Sequence, residues 1–293
     1  MLAAAIVTAI ADRLTRELAP PRRHYRPLRI GRHDAGWLDD ARAARVGDFE
    51  DVFEVGVDAV RLRPGLEDPT AATAALDGVT RTLAAEGLLT AWRDERYAVA
   101  PAFGAPPLLL LERAAARYFG IHTYAAHVNG LVRRDDGVAM WIAQRSPTKA
   151  IDPGMLDNLI GGGIAVGQSV SLTVVKEAWE EAGIAEGIAR QASAVGTVDI
   201  HREQPDGLQW ETIFVHDLWL PESFAPAGQD GEVVAHRLVS LPEAARVIAN
   251  TDGPDVVTAD ASLVVLDCLM RHGIIQPECP ERATLETLRH PRA

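Results

Sequence analysis

Residues 162–184 restrict the fold of this chain more than any other stretch of its sequence. The stretch reads Gly162-Gly163-Ile164-Ala165-Val166-Gly167-Gln168, then seven residues, then Lys176-Glu177-Ala178-Trp179-Glu180-Glu181-Ala182-Gly183-Ile184. Its second half predicts a helix from Ser169 to Ala182 that stops at Gly183, since glycine readily adopts the left-handed conformation found at helix ends. The glycines before it predict a short strand over residues 159–164. A strand, a glycine loop and a helix therefore follow one another.

Three carboxylates lie close together on this predicted helix. Glu177, Glu180 and Glu181 stand at positions i, i+3 and i+4, which places them on one face. Like charges at that spacing repel by about 0.2–0.5 kcal/mol per pair unless a cation sits among them. A cluster of hard oxygen ligands suits Mg²⁺ or Mn²⁺ better than Zn²⁺. The alternative is a solvated acidic helix face, but the glycine entry favours a metal site.

The opposite side of the predicted helix is apolar. Its residues are Leu172, Val175, Trp179 and Ala182, and we expect them to anchor the helix to a sheet while the acids face outward. The order of strand, glycine loop, helix, two strands and helix is typical of an α/β layered domain.

The chain has 293 residues, which is enough for two domains. The prolines of residues 101–107 and Gly120 place the boundary near residue 120, so we predict a small α+β domain over 1–120 and a second domain over 121–285. In the first domain we predict helices over 1–18, 39–46, 69–86 and 107–119, a hairpin over 26–37, and strands over 52–62 and 92–99. In the second we predict strands over 123–133, 138–145, 195–200 and 212–220, and helices over 242–250 and 259–272.

Charge and hydropathy exclude several classes of protein. The formal net charge of −12 argues against a general nucleic-acid binder, which needs a basic face to displace counterions. No stretch reaches about 18 consecutive apolar residues, so we expect no membrane span. Residues 1–18 lack a basic start and are predicted to form an amphipathic helix rather than a signal peptide. We expect Cys268 and Cys279 to be unpaired in a cytoplasmic protein.

Lysine is rare in this chain, which contains only Lys149 and Lys176 beside many arginines. Both lysines fall inside or just before the glycine and glutamate stretch. One interpretation is biased codon usage. The other is that a compact ammonium group is needed there, because lysine and arginine differ in geometry and hydration.

The stretch from Gly162 to Ile184 resembles the Nudix box, which reads Gly, five residues, Glu, seven residues, Arg-Glu-apolar-any-Glu-Glu-any-Gly-apolar. The match has no gap, and the three glutamates at the metal-facing positions are kept. Two positions depart from the box. Gln168 stands where the box has its first Glu, and Lys176 stands where it has Arg. Because both change together, we expect the neutral Gln168, together with Lys176, to replace the ion pair of the family.

The resemblance implies the Nudix α/β/α sandwich with a mixed sheet and a Mg²⁺-dependent hydrolase of diphosphate bonds. Glu177 and Glu181 would be the main metal ligands, and Glu180 a third ligand or the base that orients water. Lys176 belongs to the same catalytic set. Backbone groups at Gly162 can approach the metal or a phosphate, because no side chain intervenes.

Further segments resemble a Nudix subfamily related to the C-terminal part of fungal thiamine pyrophosphokinases. They include His127-Val128-Asn129-Gly130, Thr148-Lys149, Asp230-Gly231-Glu232-Val233 and, before residue 120, Ala91-Trp92-Arg93-Asp94-Glu95. This resemblance implies hydrolysis of thiamine diphosphate, or of damaged forms such as oxothiamine and oxythiamine diphosphate. The products would be the monophosphate and inorganic phosphate.

Six further residues are predicted to contact the substrate: Arg145, Lys149, Asn158, His127, Asn129 and Glu232. Lys149 or Arg145 would neutralise the distal phosphate, while Glu232 would reach the metal, act as a base or serve as a turn residue. His127 and Asn129 could equally be buried residues of an apolar strand. Asn158 could merely cap a loop.

Two other functions stay open on the sequence alone. One keeps the fold and the reaction but acts on a nucleoside diphosphate derivative of the ADP-ribose type. The other is a catalytically silent ligand sensor, which the departure at Gln168 favours. In each case the partner is a small-molecule diphosphate, with no nucleic acid and no membrane, and the family resemblance is compatible with a homodimer. Trp37 and Trp92 would stack on a thiazole or pyrimidine ring or belong to the core.

Overall fold

The computed structural model describes residues 2–291. The elements of the first part are α1 (Ala4–Glu17), β1 (Tyr25–Ile30), β2 (His33–Asp39), α2 (Asp40–Val46), β3 (Phe53–Val55), β4 (Val60–Leu62), α3 (Pro69–Ala85), β5 (Arg96–Val99) and β6 (Leu109–Glu112). The second part contains β7 (His122–Arg134), β8 (Gly137–Arg145), β9 (Leu156–Asn158), β10 (Ile160–Gly163), α4 (Val170–Ala182), α5 (Glu186–Ala189), β11 (Ser193–Gln204), β12 (Gly207–Leu220), β13 (Val233–Ser240), α6 (Leu241–Val247), α7 (Ala259–Arg271) and α8 (Arg282–Arg289).

The second part is built on a mixed sheet of seven strands. Its main order is β11-β12-β7-β8-β13, with β10 extending the sheet beside β7 and β9 beside β8. Only the β12–β7 pair of this sheet is parallel among the described residues, and the others are antiparallel. One hydrophobic cluster joins the sheet to α7, α6 and α1, and a second joins it to α4. The α/β/α sandwich with a mixed sheet is therefore confirmed.

The first part forms a smaller α+β unit. Its four-stranded sheet has the order β2-β1-β4-β3, and β5 and β6 form a separate antiparallel pair. Helix α3 begins at Pro69 because the Asp68 carboxylate accepts hydrogen bonds from the backbone N–H groups of Thr70 and Ala71. Its side chains pack with both sheets into one hydrophobic cluster.

Helix α1 does not pack with that smaller unit. Val7, Ile10 and Leu14 belong to the cluster around α7 and the seven-stranded sheet. The fully buried Arg13 donates hydrogen bonds to the carbonyl oxygens of Ile248, at 2.8 Å, and Val257. The chain therefore starts on the second part and then crosses to build the first. The division into 1–120 and 121–285 stays a prediction.

Several predicted elements need correction. Residues 107–119 form strand β6 and a 3₁₀ turn instead of a helix, because the leucines of β6 pair with β5 and a short apolar run fits either structure. Residues 52–62 form the two antiparallel strands β3 and β4 instead of one strand. Of residues 92–99, only β5 is extended. The strand β13 was not predicted, although it completes one end of the seven-stranded order.

The buried face of α4 also differs from the prediction. The helix starts at the Ser169 cap and ends at Gly183, whose φ is 65°, as expected. However, Leu172 and Trp179 are 46% and 54% exposed. The face against the sheet contains Thr173, Val174, Ala178, Glu181 and Ala182 instead. Ala182 is buried as predicted, but Glu181 lies on the buried face rather than opposite it, and the partly buried Glu177 lies beside it against the glycine strand.

No helix within residues 2–291 is both long and apolar enough to cross a membrane.

Candidate active site

The glycines of β10 allow α4 to come close to the sheet. Gly161 and Gly162 stand opposite His127 and Ala126 of β7. A Cβ atom on Gly162 would lie 2.4 Å from Cδ of Glu177, so no other residue fits there unless that glutamate moves. The backbone N–H of Gly161 donates a hydrogen bond of 2.8 Å to Oε2 of Glu181. Two of the three predicted carboxylates therefore lie directly against the glycine strand.

Lys176 lies between two of these carboxylates. Its Nζ donates hydrogen bonds to Oε1 of Glu177 at 2.9 Å and to Oε2 of Glu180 at 2.6 Å. The ammonium group thus supplies the cation that the like charges on this helix require. The expected pair of Gln168 and Lys176 is not formed, because the exposed Gln168 makes no side-chain hydrogen bond among the described residues and Lys176 binds the glutamates.

The second lysine, Lys149, lies between Glu232 and Glu181. Lys149 Nζ lies 2.5 Å from Oε2 of Glu232 and 3.8 Å from Oε1 of Glu181. Arg93 Nη1 binds the other oxygen of Glu232 at 2.9 Å. Residues separated by 139 positions in the chain therefore meet at this carboxylate. The rare lysines both belong to the site, as the sequence indicated.

Burial and charge act on the acids in opposite directions. Burial raises the pKa of Glu177, although the hydrogen bond from Lys176 opposes the rise. Burial and the negative charge of Asp157 raise the pKa of Glu181 well above its usual value. For Glu232, burial alone would raise the pKa, but the hydrogen bonds from Lys149 and Arg93 outweigh it and lower the pKa to about 2. The environment of Glu232 therefore favours its charged form, whereas burial disfavours the charged forms of Glu177 and Glu181 unless a further cation binds beside them.

Arg93, Lys149, Lys176, Glu177 and Glu232 border a cavity of about 490 Å³, whereas the buried Glu181 lies behind its wall. The cavity lies between the two parts of the chain, and its lining includes Arg93, Tyr97, Arg113, His127, Lys149, Gly162, Lys176, Glu177, Glu180, Glu211, Glu232 and Asp260. Of the predicted substrate-binding residues, His127, Arg145, Lys149 and Glu232 reach the cavity.

His127 and Asn158 form a pair beside the glycine strand. The Nδ1 atom of His127 lies 2.8 Å from Oδ1 of Asn158, which can only accept, so Nδ1 carries the proton. The Nε2 atom is then an acceptor in a side chain that is 8% exposed and lines the cavity. Asn158 itself is buried beneath the histidine. It orients His127 rather than lining the cavity.

Arg145 and Asn129 have structural roles. All three guanidinium nitrogens of Arg145 are engaged, by Asp157 at 2.8 Å and by the carbonyl oxygens of Asp152 and Ile151. This arginine holds the loop that carries Lys149. Asn129 does not reach the cavity, because its amide donates to Asp217, which Arg271 also binds. Asn129 is therefore not placed to contact a substrate in this cavity.

A second group of acids, which the sequence analysis missed, lines another wall of the cavity. The amide nitrogen of Gln209 donates to Glu211 at 3.2 Å and to Asp260 at 3.0 Å. Thr123 donates to the other oxygen of Glu211 at 3.1 Å. The alternation of Gln209 and Glu211 on β12 signalled a shared face. Only the tertiary structure brings Asp260, at the start of α7, beside them.

The first part of the chain supplies one wall of the cavity. The Tyr97 hydroxyl packs so tightly on Gly163 that a Cβ there would lie 2.0 Å from it. Arg113 binds Glu95 at 2.6 Å beside it. Neither Trp37 nor Trp92 lines the cavity, and the Trp92 indole donates to Asp94 instead. The tryptophans are therefore not placed to stack on a ligand there.

The chemistry of the donors suits a hard divalent cation, since the carboxylates of α4 and the bare backbone of Gly162 offer oxygen atoms alone. Within residues 2–291, no three acidic, histidine or cysteine side chains already surround one point. Instead, the Lys176 ammonium group neutralises the carboxylates of Glu177 and Glu180. Glu177, Glu180, Glu181 and Gly162 thus remain the predicted ligands.

A mixed sheet, a glycine strand and a glutamate-bearing helix that border a cavity with lysines are the features that the resemblance to the Nudix box implies for a class of diphosphate-cleaving enzymes. Comparison with family models supports this class: the NUDIX domain matches residues 123–259, and a domain of unknown function, DUF4743, matches residues 8–123. Two curated relatives agree with it. The chain belongs to the Nudix hydrolases, whose members cleave diphosphate bonds and generally use a divalent metal ion.

Both relatives are from Arabidopsis thaliana. The chain is 39% identical to Nudix hydrolase 24, chloroplastic, over 256 residues, covering 87% of this chain and 69% of the relative. It is 39% identical to Nudix hydrolase 20, chloroplastic, covering 86% of this chain and 69% of the relative. Among solved structures, the NUDIX domain of Shewanella oneidensis NrtR complexed with ADP ribose is similar at a TM-score of 0.41 and 15% identity, over 52% of this chain and 90% of that one. That likeness is too weak to add to the assignment.

Proposed function

We propose that this Nudix hydrolase cleaves thiamine diphosphate or its oxidised and damaged analogues, with Mg²⁺ as the metal. The observation that carries the proposal is the division of chemistry along one cavity. Cationic groups and the α4 residues Glu177 and Glu180 border one region, and the carboxylates of Glu211 and Asp260 border another.

The first region suits the diphosphate. Lys149, Lys176 and Arg93 all line it, and each can neutralise phosphate oxygens. A divalent ion held by Glu177, Glu180 and Glu181 would supply charge neutralisation and a more acidic bound water. Diphosphate hydrolysis needs little else beyond a positioned nucleophile.

The reaction consumes one water molecule. Its oxygen bonds to the terminal phosphorus, and the bond from that phosphorus to the bridging oxygen breaks. The products are the monophosphate and inorganic phosphate. Glu180 is the predicted residue for orienting the water, because it is the most exposed of the three glutamates of α4.

The second region suits a cationic ring that donates hydrogen bonds. Glu211 pairs with Thr123 in the sheet, four residues along β7 from His127, which pairs with Gly161. At roughly 3.3 Å per residue, about 13 Å separates these two levels of the sheet. A thiazolium ring carries a permanent positive charge, and an aminopyrimidine ring donates hydrogen bonds. Both properties match two partly buried carboxylates better than an uncharged ribose does.

A phosphate-release assay tests the proposal. Purified protein with Mg²⁺ would be given thiamine diphosphate, oxothiamine diphosphate, oxythiamine diphosphate and ADP-ribose. Phosphatase would be added to the ADP-ribose reaction alone, because cleavage of that compound gives monophosphates and no inorganic phosphate. We expect turnover of the thiamine compounds that falls by about 100-fold or more in Glu181→Gln. Glu186→Gln, which changes an exposed glutamate on α5, is the matched control. Turnover of ADP-ribose alone would overturn the substrate assignment.

A further inference from the structure

The first part of the chain projects one arginine into the site. Arg93 lies on the turn that precedes β5, and its side chain lines the cavity. Two residues of this turn, Ala91 and Asp94, have left-handed backbone conformations with φ of 60° and 55°. Non-glycine residues adopt that conformation rarely, and usually where surrounding contacts impose it.

Identified contacts hold the turn in place. The backbone N–H of Arg93 donates to Oε1 of Glu112, which is 3% exposed. The indole of Trp92 donates to Asp94 across the turn at 2.8 Å. The backbone position of Arg93 is therefore set by the fold of the first part.

The Glu232 carboxylate joins this arginine to Lys149. Its Oε1 binds Arg93 at 2.9 Å, and its Oε2 binds Lys149 at 2.5 Å. Each carboxylate oxygen of Glu232 thus binds one cation. Two oxygens of a phosphoryl group can bind Arg93 and Lys149 in the same way. Lys149 is only 9% exposed, so it requires an anionic partner at all times.

We propose that Arg93 and Lys149 form the binding site for the terminal phosphoryl group, and that Glu232 is an internal anion which the ligand displaces. The first part of the chain, whose match is to a domain of unknown function, would thereby supply a substrate-binding residue. The inference rests on the proposed function only for the identity of the substrate.

Displacement needs movement of one side chain alone. The backbone carbonyl of Glu232 accepts from the N–H of Ser146 at 2.8 Å, and its own N–H donates to Asp230. The main chain is therefore held while the carboxylate rotates away. A phosphoryl group that kept Glu232 as a neighbour would face a like charge, and the two cations would already be neutralised.

Calorimetric binding of inorganic diphosphate without divalent metal tests the inference. We expect Arg93→Gln to weaken binding by about tenfold, the loss of one charge-assisted hydrogen bond. Glu232→Gln should tighten binding several-fold, because the competing anion is gone. Arg61→Gln is the matched control. Arg61 is 37% exposed, compared with 39% for Arg93. It is paired with Asp58 and lies away from the cavity.

Three results would overturn the inference: wild-type protein that binds no diphosphate, Arg93→Gln that binds like wild type, or Glu232→Gln that binds more weakly. If Arg93→Gln fails to fold by circular dichroism, the Glu232→Gln result still decides. A different result would overturn the substrate assignment while leaving this site intact. Protein that turns over no thiamine compound but shows the expected changes in diphosphate binding would retain this site and lose the proposed substrate.

Discussion

Replacing Gly162 by alanine should damage catalysis more than stability. The backbone of Gly162 is in an ordinary extended conformation opposite Ala126, so alanine is allowed there by φ and ψ. The obstacle is Glu177, whose Cδ atom would lie 2.4 Å from the new Cβ. Ordinary contact begins at 3.4 Å, so the carboxyl group must retreat by 3.4 − 2.4 = 1.0 Å.

The energetic consequence follows from that displacement. Overpacking typically costs about 1–3 kcal/mol. Alanine also lowers the conformational entropy of the unfolded chain, which offsets about 0.4–1 kcal/mol of this cost. We therefore expect the free energy of unfolding to fall by about 1–2 kcal/mol. A misplacement of about 1 Å in a catalytic group costs about 100-fold in rate. The expected signature is a folded protein with a much lower kcat.

Urea denaturation and steady-state phosphate release measure the two quantities. Gly78→Ala is the control, because Gly78 lies inside α3 with no heavy atom within 4 Å of an added Cβ. That variant should gain about 0.5–1 kcal/mol and keep its kcat. A Gly162→Ala enzyme with wild-type kcat and wild-type stability would refute the role assigned to the contact between Gly162 and Glu177.

Three further variants test other contacts. Gly163→Ala should destabilise the protein by about 1–3 kcal/mol in urea denaturation, since its Cβ meets the Tyr97 hydroxyl at 2.0 Å, and Tyr97→Phe should rescue part of that loss. Asn129→Ala should lower stability by about 1 kcal/mol without changing KM, because its amide binds Asp217 and not the cavity. Burial lowers the pKa of His122 to about 4, so the unfolded state binds more protons and wild-type stability should fall as pH drops from about 6.5 to about 4. His122→Phe should lose less stability over that range.

Different outcomes would count against these explanations. A Tyr97→Phe background that leaves the cost of Gly163→Ala unchanged would remove the hydroxyl as its cause. A rise in KM for Asn129→Ala would restore that residue to the substrate site. Equal acid sensitivity in wild type and His122→Phe would show that other groups control it.

Local patterns predicted the elements whose ends carry their own signals. Helix α4 begins at a serine cap and ends at a left-handed glycine, and both contacts involve residues within five positions. The β7–β8 hairpin likewise follows from its Asp-Gly turn. Where no such signal exists, the prediction was wrong. The leucines of β6 became a strand only because β5 lies beside them.

The face of α4 shows a second limit of sequence patterns. Periodicity correctly grouped the glutamates on one side of the helix, but it could not say which side faces the sheet. Hydrophobicity favoured Leu172 and Trp179, which are exposed. The glycine strand reverses the choice, because a strand without side chains accepts carboxylates where an ordinary strand would exclude them.

The sequence by itself determined the glutamate triad, the glycine strand and the family, because each depends on spacing within about twenty residues of one another. Tertiary structure alone decided that Arg93 meets Glu232, and that Gln209 and Glu211 meet Asp260. Those contacts join residues far apart in the chain. Their positions follow from how α7 packs beside β12 and how the first part of the chain packs on the second, and not from any local periodicity.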